Sequence, residues 1–447
     1  MIKKYVKGEM KIAIMFVIIA LLVIISGISG CVEEQKEETA SQQVFDDQSS
    51  NESSVESADA KDIENENEEL SFEEKVWKKR IDAAMAPSYC PNVTISRPNI
   101  SYYTGPLIDT HFHIAALPDS PPGEEEDEEG ENEDEEENKE NNDEDGDDES
   151  DEDEEEMETV RKWGEGARQP LLGENIRISE IVCTLEQEST DKAFAFFPVY
   201  PEISMQLSEV VNRTMQKYPE RFVPFVMPPD NDNDPDGSPT VNARVLQDML
   251  EAYPELFGGY GEIGLYNRQG GAKELLPDDQ RLKEIYPIIK EKKLLVYFHP
   301  GNGHADNLAK VLKEYPDINF IVHGDQIQQN IISLMDDHPN IYFTMNDLYG
   351  DEWLLRESIT KQEFLEYFND YEPLIKKDLA MYEHMINEHP DRFMWGTDRG
   401  GAAVWTYDPE VGQTLANYGR AFIARLNPSV QEKFAYKNAE SLLLNKF

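Results

Sequence analysis

The sequence predicts an α/β fold, a (β/α)8 barrel of the TIM type, on three observations. Eight apolar, β-rich runs alternate with stretches of helical periodicity. From Pro106 to Gly400, less one acidic insert, the unit spans about 260 residues, against roughly 250 for such a barrel. Half of the chain's eight histidines fall at the ends of those runs, where barrel proteins carry their functional groups.

The runs lie at 106–113, 192–200, 221–228, 258–266, 294–301, 319–326, 341–347 and 392–400. Near-continuous apolar strands that alternate with helices imply a parallel sheet covered on both faces. An open doubly wound sheet is the alternative; eight runs of this length favour closure. Between them, stretches such as EISMQLSEVVNRTMQKYPE and DDQRLKEIYPIIKEKK carry apolar residues at helical spacing. Several of these helices should stop at a Tyr-Pro or His-Pro pair, because the residue before a proline is pushed out of helical geometry. Residues 71–85 predict a short amphipathic helix that enters the folded body at 71–447.

The net charge of −50 is concentrated in two segments. Residues 32–69 hold 14 acidic residues against 2 lysines, and 124–158 hold 26 against 1, which leaves −13 for the rest of the chain. The first segment, within a stretch 32–70 almost without aromatics, reads as a disordered acidic stalk. The second, within a low-complexity stretch 122–158, follows the first strand and reads as a disordered, solvated insertion; an electrostatic gate or a weak Ca²⁺ binder at the site's mouth are the sharper alternatives. No basic cluster offers a footprint for nucleic acid, so DNA and RNA are not expected as partners. Oligomeric state is not legible.

Lys3, Lys4, Lys7 and Lys11 precede an uncharged apolar run from Ile12 to Ile28, which ends in Ser29-Gly30-Cys31. That order resembles the lipobox of prokaryotic lipoproteins, which implies that 1–31 is a signal, that Cys31 is lipidated, and that the body is membrane-tethered on the extracytoplasmic face. The alternative anchor is an uncleaved N-terminal helix, since about 18 apolar residues are just enough to span a bilayer. Cys90 and Cys183 either pair in an oxidising compartment or stay as thiols, Cys183 in an apolar helical run. The glycosylation sequons at Asn51, Asn92, Asn99 and Asn212 matter only in a host that modifies exported chains.

At the strand ends stand His111 and His113 after the first, Glu262 in the fourth, His299 after the fifth, His323 after the sixth and Asp398 after the eighth. Strand alternation puts His111 and His113 on one side of the sheet. Imidazoles and carboxylates are the ligands that Zn²⁺, Fe²⁺ or Mn²⁺ accept, and four buried imidazoles without a cation would be costly. A divalent metal is therefore expected, zinc first, with iron or manganese as alternatives.

The Asp109-Thr110-His111-Phe112-His113 motif, the His-Pro-Gly at His299, the His-Gly at His323 and the Trp-Gly-Thr-Asp ending at Asp398 together resemble the amidohydrolase superfamily. They are most similar to its amidohydrolase-related (amidohydrolase 2) branch of metal-dependent hydrolases and decarboxylases. The resemblance runs from Leu107 to the C-terminus. It implies that His111, His113, His299 and Asp398 hold one metal and that His323 assists catalysis. The Gly-Glu-Ile-Gly around Glu262 instead resembles TatD-type nucleases, which implies Glu262 as a ligand and two ions, the second served by His299 and His323.

The chemistry implied is a metal-activated water, its pKa lowered from about 15.7 to near 7, acting on a small amide, ester or lactone. Asp398 would take the proton and return it to the leaving group, while His323 would steady the oxyanion. Rival readings are a decarboxylase of an aromatic or unsaturated acid, a TatD-like nuclease and a non-catalytic binding lipoprotein. Arg399 and Arg268 are candidates to clamp a substrate carboxylate or phosphate, with a salt bridge as the alternative for each; Tyr266, Trp395 and Asn346 are candidate lining residues. His304 lies near enough to reach the site, while His338, His384 and His389 read as structural.

Overall fold

All eight predicted strands form, and they make one parallel sheet in the order β1 to β8. They are β1 Ile108–His113, β2 Lys192–Pro198, β3 Phe222–Met227, β4 Gly259–Gly264, β5 Leu295–His299, β6 Phe320–Val322, β7 Ile341–Met345 and β8 Phe393–Trp395. The computed structural model describes residues 70–118, 169–228, 241–266, 273–346, 348, 349, 355 and 359–444. The signal and Cys31, the stalk at 32–69, the insertion at 122–158 and Arg268 lie outside the described residues. Among the described residues no helix is long and apolar enough to cross a membrane.

Closure of the barrel falls to β1 and the segment after β8. Phe112 bridges Arg399 in parallel, His113 N donates to Arg399 O at 2.8 Å, and Asp398 N donates to His111 O at 2.9 Å. The same hydrogen bonds that shut the sheet therefore set the two metal-type motifs side by side.

Alternation along the strands sorts the core into two shells. Ile108, Phe194, Phe196, Val223, Phe225, Leu295, Tyr297, Ile321 and Met394 pack together inside the barrel. Ala439 and Leu442, of the last helix Asn438–Leu444, join residues from the strand starts in that cluster, so this helix plugs the end opposite the site. The remaining apolar residues of the strands face outward to a larger shell shared with the helices.

The proline rule holds at five helices. They end with C-caps at Tyr218, Tyr253, Tyr315, His338 and His389, each followed by proline, and each cap N–H still donates to a carbonyl four residues back. The entry helix Phe72–Ala84 opens on a capping box in which Ser71 and Glu74 bond reciprocally, and it buries Trp77, Ile81 and Ala84. Cys90 and Cys183 are disulfide-bonded, so the strap that follows the entry helix is stapled to the helix Ile178–Gln187; the pairing alternative stands and the thiol alternative falls.

Candidate metal centre

Two local departures from ideal strand geometry aim the site. In β4, Tyr260 and Ile263 both face the outer shell although they are three residues apart, and the pairing with β5 shifts register between them. The irregularity turns Glu262 into the barrel. Gly261 adopts a φ of 114°, and a Cβ there would stand 2.1 Å from the Tyr297 carbonyl oxygen, so glycine is required. At the other end of the sheet, Asp398 is a non-glycine residue with a φ of 52°, a strained conformation that costs on the order of 1–3 kcal/mol. Its own N–H bond to His111 and the anchoring of its neighbour Thr397 hold it there: Thr397 N and Oγ1 donate to the Asp109 carboxylate at 3.0 and 2.6 Å.

Asp109 thus acquires a role that its place in the motif did not announce. Its carboxylate also accepts from His111 N at 3.0 Å, so one buried group ties β1 to the loop after β8. Burial pushes its pKa up to about 6, against the opposing pull of Arg399 and the Thr397 and His111 hydrogen bonds.

The result is a knot of four atoms. His111 Nε2 lies 3.1 Å from His113 Nε2, 3.1 Å from Glu262 Oε2 and 3.1 Å from Asp398 Oδ1. His113 Nε2 lies 3.2 Å from the same glutamate oxygen and 3.0 Å from the same aspartate oxygen. These five separations of 3.0–3.2 Å lie near the roughly 3.3 Å between ligand atoms held about 2.0 Å from a zinc ion in a tetrahedral site. The donor set therefore fits a divalent cation. His111 is wholly enclosed, whereas His113 and Asp398 keep 17% and 19% of their side chains exposed, which leaves the knot open on one side.

A second triad shares Glu262. Its Oε1 lies 2.5 Å from His323 Nε2 and 3.4 Å from His299 Nδ1. Of the two groupings the resemblances imply, the geometry matches the one with Glu262: Glu262 completes the close set with His111, His113 and Asp398, and His299 sits with Glu262 and His323. The bulge in β4 carries the carboxylate inward, ahead of the fifth-strand histidine. His299 Nε2 is engaged by Gln326 Oε1 at 3.1 Å, and the Tyr266 ring stands 4.5 Å from the His299 ring, so Tyr266 borders the site.

The electrostatics follow from burial and close opposite charge. Burial by itself draws the His113 imidazole down, but Asp398 and Glu262 outweigh it and push it up to about 10. Burial raises Asp398 and Glu262, yet the imidazoles around them hold both below the usual carboxylate range. His323 is drawn down to about 4 by burial and then by His299.

Other predicted residues fall elsewhere. Arg399 is wholly buried; its Nη1 and Nη2 donate to Glu188 at 2.8 and 2.9 Å, and its guanidinium lies 4.8 Å from the centre of the Phe112 ring. Of its two readings, substrate clamp and salt bridge, this geometry fits the salt bridge, since no face of it reaches solvent. His304 does not join the cluster: its Nδ1 accepts from Gly301 N and its Nε2 meets Glu274 at 2.7 Å. Trp395 is buried, and Asn346 reaches both Asp398 and His323. Gln326, against His299, carries no sequence signal of its own, whereas Thr397 stands inside the Trp-Gly-Thr-Asp motif, whose role as the anchor on Asp109 only the fold displays.

The family model described as amidohydrolase matches residues 108–444. The chain belongs to this amidohydrolase family. Among solved structures, the amidohydrolase chain is similar to 4-oxalomesaconate hydratase from Rhodopseudomonas palustris, at 13% identity over 76% of this chain and 96% of that one, with a TM-score of 0.41. It is similar to 2,6-dihydroxybenzoate decarboxylase from Rhizobium at 13% identity, over 76% and 99%, with a TM-score of 0.42. A probable 2-pyrone-4,6-dicarboxylic acid hydrolase from Acinetobacter baumannii matches at 12% identity, over 76% and 99%, with a TM-score of 0.41. No curated protein matches the chain.

Proposed function

We propose that this chain is a divalent-metal-dependent hydrolase that directs a water at a small amide, ester or lactone. The observation that carries the reading is the four-atom knot of His111, His113, Glu262 and Asp398, open on one side, inside an amidohydrolase-family barrel. These four residues would hold the cation, zinc first by ligand chemistry, with iron or manganese as alternatives. Such an ion supplies Lewis acidity, polarising the substrate oxygen and making water a stronger acid.

The chain's own groups supply the rest. Asp398, held ionised by its imidazole neighbours, takes the proton from the attacking water and passes it to the leaving group. His323, whose Nε2 stands 2.5 Å from Glu262 Oε1, would turn that N–H from Glu262 toward the developing oxyanion once Glu262 holds the cation. Tyr266 and His299 border the opening and shape what enters.

A second reading, decarboxylation of an aromatic or unsaturated acid, is favoured by His323 itself. Protonated first, its imidazole would give that proton to the carbon bearing the carboxylate and return to the neutral form that burial favours, while the electrons of the breaking C–CO2 bond stay on that carbon. The two readings separate on products: a panel of amides, esters, lactones and aromatic acids should yield either a hydrolytic pair or CO2.

Metal content by mass spectrometry on the full-length chain tests the shared premise. About one equivalent, lost in the His111→Ala/His113→Ala double variant, supports it. No bound metal after reconstitution with zinc, manganese or iron refutes it.

The lipobox-like ending at Cys31 supports export and a lipid tether, and the disulfide between Cys90 and Cys183 suits an oxidising compartment. Absence of label on Cys31 after growth with a radiolabelled fatty acid would argue against the tether.

A further inference from the structure

We propose that Asn92 and Asn99, on the strap that the Cys90–Cys183 disulfide staples to the barrel, are acceptor sites for N-linked glycosylation, and that the fold excludes Asn212 from it. The inference rests on the export reading above, because glycan transfer of this kind acts on chains outside the cytoplasm. The fourth sequon, at Asn51, lies outside the described residues.

Transfer asks two things of an acceptor: a side-chain amide free to form a bond, and a reachable hydroxyl two residues on. On the strap, exposure alternates from Pro91 to Ile95: Asn92 and Thr94 are exposed, while Pro91, Val93 and Ile95 are half-buried. Val93 fixes that alternation. Its N–H donates to Gln187 Oε1 at 3.0 Å and its carbonyl accepts from Gln413 Nε2 at 2.6 Å. The backbone between the two sequon residues is thus held on the helices Ile178–Gln187 and Pro409–Ile423, and Asn92 and Thr94 are left in solvent. Asn99 is the central residue of a γ-turn in which Ile100 N donates to Pro98 O at 3.0 Å, and both Asn99 and Ser101 are exposed. Among the described residues, no partner engages the side chains of Asn92, Thr94, Asn99 or Ser101.

Asn212 has the opposite surroundings. It lies inside the helix Ser204–Lys217, where its Nδ2 donates to Glu209 Oε2 at 3.3 Å and its Oδ1 accepts from Gln216 Nε2 at 3.2 Å. Thr214, the hydroxyl its sequon needs, is wholly buried and donates to Val210 O at 2.8 Å. An enzyme could reach that pair only by opening the helix. The reaction itself balances with one co-reactant, a polyprenyl-phosphate-linked oligosaccharide. Asparagine Nδ2 bonds to its anomeric carbon, the bond from that carbon to the phosphate oxygen breaks with its electrons on oxygen, and one amide hydrogen leaves as a proton.

The test offers the full-length, disulfide-bonded chain to a purified oligosaccharyltransferase that needs only the Asn-X-Ser/Thr pattern, with its lipid-linked oligosaccharide, and maps glycopeptides by mass spectrometry. Occupancy at Asn92 and at Asn99 should exceed that at Asn212 by at least about tenfold, since the helical site reacts only from an opened state. In the reduced, unfolded chain the preference should vanish. Thr94→Ala should abolish transfer at Asn92 and Thr94→Ser should keep it, with Asn99 as the internal control in each.

Equal occupancy of all three on the folded chain overturns the proposal, as does a preference that persists in the unfolded chain. So do bare Asn92 and Asn99 on the folded chain when the unfolded one is modified. The same peptides from cells that make the chain separate this inference from the export reading. Bare Asn92 and Asn99 on chain recovered outside the membrane overturn the proposal; recovery in the cytoplasm sinks the export reading, and transfer to the folded chain then decides whether the strap is an acceptor.

Discussion

Replacing Arg399 by Met should destabilise the fold without emptying the metal site. Arg399 and Glu188 form a two-pronged ion pair at 2.8 and 2.9 Å, with side chains 0% and 2% exposed. The packing around them is tight: a Cβ on Gly412 would stand 2.2 Å from Arg399 Nη1 and 2.4 Å from a Glu188 oxygen. Two charge-assisted bonds at roughly 1.5–3 kcal/mol each bracket the loss at about 3–6 kcal/mol. Removing one partner of a buried pair gives a similar roughly 3–5 kcal/mol, because the remaining charge is left without compensation. The double variant Arg399→Met/Glu188→Leu should recover most of that loss. Urea midpoints on the wild type, both single variants and the double variant provide the cycle. A single variant that keeps wild-type stability but binds substrate poorly would refute the structural role and return Arg399 to substrate recognition.

Other outcomes follow from neighbouring features. Reducing Cys90–Cys183, bonded across a sequence separation of 93, removes a cross-link worth up to about 4.6 kcal/mol of chain entropy, so dithiothreitol and the Cys90→Ser/Cys183→Ser variant should both lower the thermal midpoint; equal midpoints with and without reductant would count against the staple. His113 in the metal-free site is raised to about 10, so a cation entering near pH 7 must displace its proton. Affinity should therefore rise roughly tenfold per pH unit from about 6 to 9, with about one proton released, and calorimetry in buffers of different ionisation heat would expose a pH-independent affinity. Gly324 has a φ of 95°, and a Cβ there would lie 2.6 Å from His299 Nε2, so Gly324→Ala should displace His299. Because His299 stands outside the four-atom knot, metal content should hold at one equivalent while turnover falls; loss of the metal would place His299 among the ligands.

The linear chain determined the barrel and its charge-bearing ends. Apolar runs of strand length, proline-terminated helices and histidines at the run ends are local patterns, and each survives without knowledge of what lies opposite. The side shared by His111 and His113 was legible for the same reason, since alternation is a property of one strand.

Only the tertiary structure decided how those groups are shared out. A bulge at Gly261 brings Glu262 into the knot and leaves His299 to the second triad, which decides between the two groupings that the motifs left open. Arg399 follows a metal-type aspartate in sequence but turns away to Glu188, a residue 211 positions distant. Asn346 is one lining candidate among several in the sequence, and only the fold sets Asp398 and His323 on either side of its amide. The physical reason is common to all three. Which residues have the right chemistry is written in their type and spacing, whereas which of them meet depends on barrel closure, strand irregularities and contacts between separate strands and helices.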